Sequence, residues 1–235
     1  MANRDSRFLF VSDTQKPFEA PDALAFCRRI QKEYRIPDDH IFHVGDEVDL
    51  YHGSMHKKDP DAELTPNQEL MLARKKLKDW YKAFPRMKLA ISNHGLRYIR
   101  KAVDAEIPAQ VLRSYRDLID APSGWVWKDR WVFDAGRTKI CMQHGMGYSG
   151  RNGHINAAFD NGMNTVIGHL HSHAAVNYLN TETRQIWAMN SGCLIHPDAF
   201  AFKYGKYNRN KPVLTVGVVV DGGKTPLLIP YEGRL

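Results

Sequence analysis

Residues 41–49 read Ile41-Phe42-His43-Val44-Gly45-Asp46-Glu47-Val48-Asp49, and residues 7–15 read Arg7-Phe8-Leu9-Phe10-Val11-Ser12-Asp13-Thr14-Gln15. In each, a short apolar run of strand length stops abruptly at a carboxylate. A single Asp behind a strand is usually a turn or cap residue. Here the arrangement recurs along the chain. Lys88 to Ser92 delivers Asn93-His94, Lys139 to Met142 leads to His144, and Thr165 to Ile167 leads to Gly168-His169-Leu170-His171. Five runs thus each place a metal-capable side chain at a carboxyl end. There, loops from neighbouring strands of an α/β sheet converge.

Between the runs lie helical patterns. Pro21 to Tyr34 carries Leu24, Phe26, Cys27 and Ile30, with Pro21 suited to a first turn. Thr65-Pro66-Asn67-Gln68 reads as a capping box with proline at the first helical position. Leu70, Leu72, Leu77, Trp80, Tyr81 and Phe84 form the apolar stripe behind it, and Pro85 stops the helix. Farther on, Trp125–Lys128 with Arg130–Asp134, Ala174–Leu179 with Gln185–Asn190, and Val213–Val220 with Pro226–Tyr231 read as three strand pairs. The N-terminal half is expected to consist of βαβ units and the C-terminal half of mostly antiparallel strands. Together they predict an α/β (α+β) fold: a four-layer αββα sandwich of two mixed β-sheets flanked by helices. The 235 residues suit one domain over 1–235, with a polar surface excursion and helix at about 52–84.

Composition narrows the function. No apolar run is long enough to span a bilayer, and the N-terminus lacks the pattern of a secretion signal, so no membrane and a cytoplasmic location are expected. Cys27, Cys141 and Cys193 form no CxxC pair and read as buried free thiols. The net charge of +7 points to an anionic partner: DNA, RNA, a nucleotide or another phosphate ester.

The ordered set Asp13-Thr14-Gln15, Gly45-Asp46-Glu47-Val48-Asp49, Asn93-His94, His144 and Gly168-His169-Leu170-His171 resembles the calcineurin-like metallophosphoesterase superfamily, whose motifs run DxH, GDxxD, GNH(D/E), H and GHxH. The likeness spans residues 9–171. Asp59-Pro60 through Arg97, a polar loop and long helix before the Asn-His block, is similar to small prokaryotic and bacteriophage members; for a viral protein the location becomes the host cytoplasm. The resemblance implies two divalent ions, with Mn first and Fe, Zn or Ni as alternatives. One would be held by Asp13, Gln15, Asp46 and His171, the other by Asp46, Asn93, His144 and His169. They would activate water for in-line attack on a phosphodiester, as in a nuclease or phosphodiesterase. His94 is the candidate to protonate the leaving oxygen, Asp49 to orient it, and Arg97 and Arg151 to contact substrate.

Two departures from the family pattern matter. Gln15 stands where His is usual, and Gly95 where a carboxylate is usual. These keep open a metal-poor binding scaffold on the same fold. A protein or small-molecule phosphomonoesterase is the other alternative, although Leu50-Tyr51 after Asp49 differs from the GDxxDRG of protein phosphatases. His40, His43, His52, His56, His154, His173 and His196 lack ligand spacing. Of these, His52 and His56 lie in the polar excursion, within possible reach of substrate. The oligomeric state is not encoded in any of these features.

Overall fold

The computed structural model describes residues 3–55, 63–198 and 211–233. His56 and Asp59-Pro60 lie outside the described residues. Eleven strands and five α-helices run along the described chain as β1 (Phe8–Val11), α1 (Ala23–Glu33), β2 (Ile41–His43), α2 (Pro66–Ala83), β3 (Met87–Ala90), α3 (Arg97–Asp104), α4 (Tyr115–Leu118), β4 (Trp125–Lys128), β5 (Arg130–Asp134), β6 (Lys139–Gln143), α5 (Gly153–Asn161), β7 (Asn164–Ile167), β8 (Ala175–Asn180), β9 (Gln185–Asn190), β10 (Thr215–Val220) and β11 (Thr225–Pro230).

They build two mixed sheets, ordered β11-β10-β1-β2-β3-β4 and β5-β6-β7-β9-β8. Alternation along β1 sets the layers, because successive side chains of a strand face opposite ways. Leu9 and Val11 pack outward with Phe26 and Ile30 of α1 and Leu77 and Trp80 of α2. Phe8 and Phe10 face inward with Phe42, Met142, Val166 and Met189, filling the space between the sheets. On the far side Ala158 of α5 packs on Ile186 and Ala188. The layer order is therefore helix, sheet, sheet, helix, as predicted.

The predicted start of α2 is present in detail. Gln68 N–H donates to Thr65 Oγ1 at 3.3 Å, and Thr65 N–H to Gln68 Oε1 at 2.9 Å. The helix ends at Ala83, with Phe84 as its cap. Leu72 departs from the expected stripe: it is exposed, and Glu69 and Ala73 are buried in the same stretch. Helix α1 begins at Ala23, two residues past Pro21.

One expectation is overturned. Trp125–Lys128 and Arg130–Asp134 are not paired with each other. Strand β4 pairs β3 in parallel, and β5 pairs β6 antiparallel in the other sheet. Only Asp129 separates them, and a hairpin needs about two turn residues. The chain crosses between the sheets there instead. The C-terminal half is mostly antiparallel, as expected, through β5–β6, β8–β9 and β10–β11, but β6–β7 and β7–β9 are parallel pairs. Helix α5, which the sequence reading did not identify, supplies the crossover between β6 and β7 that such a pair requires. The other two hairpins, β8–β9 and β10–β11, pair as expected. The three cysteines are buried and free. Among the described residues no helix is long and apolar enough to cross a membrane.

Candidate metal centre

The parallel strands β1, β2 and β3 of one sheet and β6 and β7 of the other end at a common edge of the sandwich. The loops leaving them are laced together. Gln15 N–H donates to Asp46 O at 2.8 Å, tying the loop after β1 to that after β2. Gly168 N–H donates to His144 O at 3.1 Å, doing the same in the second sheet. His169 N–H donates to Asp13 Oδ2 at 3.0 Å and joins the two sheets.

Two groups of donor atoms result. Asp46, His144 and His169 form one, Asp13, Asp46 and His171 the other, each with its ligand atoms within 4.8 Å of one another. Asp46 belongs to both. Asn93 joins the first group, its Oδ1 2.7 Å from His144 Nε2. Gln15 joins the second, its amide nitrogen 3.0 Å from His171 Nε2, which is itself 2.7 Å from Asp13 Oδ1. All seven predicted ligand residues are thus brought together.

The backbone is strained at these positions. Asp13, Gln15, Asp46 and His169 have φ of 47°, 44°, 54° and 68°, a left-handed conformation that costs non-glycine residues about 1–2 kcal/mol each. Such strain persists where surrounding structure over-determines it. Neighbouring glycines provide the room. A Cβ on Gly168 would lie 1.9 Å from Ser12 Oγ and 2.5 Å from Asp13 Oδ2. A Cβ on Gly45 would lie 2.6 Å from His144 Nδ1.

The electrostatics call for positive charge. Asp13 and Asp46 are buried, which by itself raises a carboxyl pKa, yet neighbouring histidines hold both below the usual range. His144 shows the reciprocal effect. Burial opposes its protonation, but Asp46 and Asp13 outweigh that and push it up to about 9. His171 is raised for the same reason. His169, with burial and His144 against it, is lowered. Asp46 Oδ2 is buried and accepts no well-formed hydrogen bond among the described residues, with His144 Nε2 3.3 Å away. His144 Nδ1–H donates to Val44 O at 2.9 Å, which turns Nε2 toward the cluster. Carboxylate and amide oxygens with imidazole nitrogens suit divalent ions from Mn to Zn, so the residues present fit such a group.

Beside the cluster, His94 Nδ1 lies 2.8 Å from Asp49 Oδ1, and His94 N–H donates to Asp46 Oδ1 at 3.1 Å. Arg97 donates from Nη1 to Asp49 Oδ1 at 2.8 Å and to Asp49 O at 2.6 Å, and its Nη2 lies 2.9 Å from His94 Nε2. Burial would raise the Asp49 carboxyl, but His94 and Arg97 together hold it down. Arg151 is exposed in the turn before α5, and none of its described contacts is with the ligand set. His52 Nε2 is 2.6 Å from Leu64 O.

Some residues that shape the site escaped the sequence reading. Ser92 Oγ accepts Asp46 N–H at 3.0 Å, and Ser12 Oγ donates to Asp13 Oδ2. Both serines directly precede a ligand-bearing segment, a signal visible in the sequence. Behind them, Thr14 Oγ1 meets buried Lys16 Nζ at 2.9 Å and His43 Nε2 at 3.2 Å. Burial lowers Lys16 to about 8, and burial with Lys16 lowers His43 to about 3, so His43 is a neutral packing residue. Gly95, where the resembled family has a carboxylate, packs under Tyr115: a Cβ there would lie 3.2 Å from Tyr115 Cζ. The aromatic ring takes the place that a side chain at residue 95 would claim.

No family model matches the chain, and no curated protein matches it by sequence. Solved structures do. The hypothetical protein PH1004 from Pyrococcus horikoshii is 13% identical with a TM-score of 0.54, the match covering 97% of this chain and 89% of that one. An archaeal phosphodiesterase is 12% identical with a TM-score of 0.48, over 96% of this chain and 99% of that one. Vacuolar protein sorting 29 from Cryptosporidium parvum is 11% identical with a TM-score of 0.49, over 99% and 95%. Across 97% of its length, therefore, this chain shares its fold with the Pyrococcus protein.

Proposed function

We propose that this chain is a calcineurin-like metallophosphoesterase of the small prokaryotic or bacteriophage type, hydrolysing a phosphodiester of nucleic acid or nucleotide kind. The observation that carries this reading is the pair of donor groups joined through one carboxylate, Asp46. Asp13, Gln15, Asp46 and His171 would hold one divalent ion, and Asp46, Asn93, His144 and His169 a second, with Mn the first candidate. Bound there, the ions would supply Lewis-acid charge to phosphate oxygens and lower the pKa of water. The chain's charge of +7 favours a polyanionic substrate.

His94 is our candidate to assist the leaving oxygen. A guanidinium only donates, so with Arg97 on Nε2 the His94 proton sits on Nδ1, against Asp49. A substrate phosphate would draw the Arg97 donors away and free Nε2 to carry and deliver a proton. Arg97 thereby serves both as substrate contact and as the group that positions His94. Arg151 is a candidate contact for an extended substrate only, given its place outside the cluster.

The test is a substrate panel with added Mn²⁺: bis-p-nitrophenyl phosphate, p-nitrophenyl phosphate, cyclic nucleotides, and single- and double-stranded DNA. Faster turnover of diesters supports the proposal, and faster turnover of monoesters replaces it with a phosphomonoesterase. Asp46→Ala should remove activity and metal at both positions. A wild-type protein that binds no Mn, Fe, Zn or Ni and hydrolyses nothing would be a scaffold.

A further inference from the structure

The edge of the second sheet opposite the metal centre carries a large basic groove. Strands β6, β7 and β9 run parallel and deliver His144, His169 and the Ser191 turn at their carboxyl ends. Their amino ends line a cavity of about 780 Å³, open to solvent. A strand of β6's length puts the two edges roughly 15 Å apart at about 3.3 Å per residue. The groove is therefore separate from the cluster.

Four cations surround it: Arg137, Lys139, Arg184 and Lys224. Arg137, Arg184 and Lys224 come from the turns between β5 and β6, between β8 and β9, and between β10 and β11, and Lys139 opens β6. Arg137 is anchored, its Nε 3.1 Å from Asp221 Oδ1 and donating to Arg4 O. Arg184 is anchored by Nη2 on Gly162 O. Lys139 and Lys224 are exposed, and among the described residues neither has an ion pair. Among the described residues that line the cavity the carboxylate is Asp134, whose Oδ1 accepts Gly136 N–H at 2.7 Å. The groove also presents Tyr178, which is 54% exposed.

We propose that this groove is an exosite for single-stranded nucleic acid, in which the four cations track the phosphodiester backbone and Tyr178 stacks on a base. The volume is that of a cleft for a ligand much larger than a single phosphate. Cations spread over three turns suit phosphates strung along a chain better than a polyphosphate gathered at one point. Two anchored guanidiniums with two free ammoniums and an exposed ring match the backbone-plus-stacking pattern of sequence-tolerant single-strand binding. The exosite needs no metal, so its failure and that of the phosphoesterase reading are separable.

The experiment is fluorescence anisotropy of a labelled 12-nucleotide DNA strand with phosphorothioate linkages, which resist hydrolysis, titrated with the full-length protein across a salt series. Wild-type protein should bind the strand. Lys139→Glu/Lys224→Glu should weaken binding at least about tenfold and reduce the log–log salt slope by about 1.4, the value for two lost phosphate contacts on a single strand. Tyr178→Ala should weaken it about fivefold or more. Hydrolysis of a small chromogenic diester should be unchanged in both variants. Wild-type affinity in the double charge variant, or no binding by wild-type protein at low salt, overturns the exosite. Equal competition by polyglutamate or by a mononucleotide at the same phosphate concentration overturns its assignment to a nucleic-acid strand.

Discussion

Gly168→Ala tests the centre most severely, because the structure supplies a distance for the damage. The new methyl would start 1.9 Å from Ser12 Oγ and 2.5 Å from Asp13 Oδ2. An ordinary carbon–oxygen contact is roughly 3.3–3.6 Å, so the carboxylate oxygen must retreat by about 0.8 Å. It is held in place by His169 N–H and Ser12 Oγ, and its partner oxygen lies 2.7 Å from His171 Nε2. Overpacking costs about 1–3 kcal/mol, and losing a hydrogen bond to a buried carboxylate a similar amount. The sum, on the order of 2–6 kcal/mol, corresponds to a fall in Tm of roughly 4–24 °C for a chain of this size. Metal ligands tolerate displacements of only about 0.2 Å, so Mn²⁺ affinity should fall by about 10–100-fold. Thermal unfolding in chelator isolates the packing cost, and Mn²⁺ titration of metal-stripped protein reads the ligand cost. Adding Ser12→Ala removes the shorter contact and leaves the carboxylate contact, so it should not restore metal affinity. A Gly168→Ala protein with wild-type Tm and an unchanged titration midpoint would refute the reasoning.

Three further substitutions probe other parts of the site. His94→Ala should keep metal content near wild type and lower kcat by about 10²-fold or more, with a smaller loss on substrates with good leaving groups; equal losses across leaving groups exclude proton donation, and loss of metal makes His94 a ligand. Gln15→His should lower the Mn²⁺ concentration for half-maximal activity, because imidazole is the better donor; an identical midpoint removes Gln15 from the ligand set. Glu69 is buried, accepts Tyr51 N–H at 2.7 Å, and is raised from 4.5 to about 7, chiefly by burial and then by Asp49. The native state therefore holds this proton more tightly than the unfolded state, and stability declines as pH rises from about 4.5 to about 7. Glu69→Gln should flatten that decline by on the order of 2 kcal/mol between pH 5 and pH 8, measured by urea unfolding; parallel pH profiles for the two proteins contradict the assignment.

The sequence by itself singled out the side chains that converge at the candidate centre, and it set the layer order. Apolar runs of strand length ending in Asp13, Asp46, Asn93, His144 and His169 carry both, because a strand's alternation sets which face is buried and its end sets where a loop begins. The α2 boundary was equally legible, since the Thr65–Gln68 capping box closes within four residues. What the tertiary structure decided depends on residues far apart in the chain. The β4–β5 stretch reads as local pairing, but each strand pairs with a neighbour in a different sheet, and sheet membership is set by packing on both faces rather than by the stretch itself. The sharing of Asp46 between two donor groups requires Asp13, His144, His169 and His171 to meet across both sheets. The attachment of Arg97 to Asp49 and His94, and of the Tyr115 ring to Gly95, likewise fixes angles and distances in space. Spacing along a chain gives the order in which side chains arrive at a site, whereas their convergence depends on twist, loop strain and inter-sheet packing, which exist only once the whole core has formed.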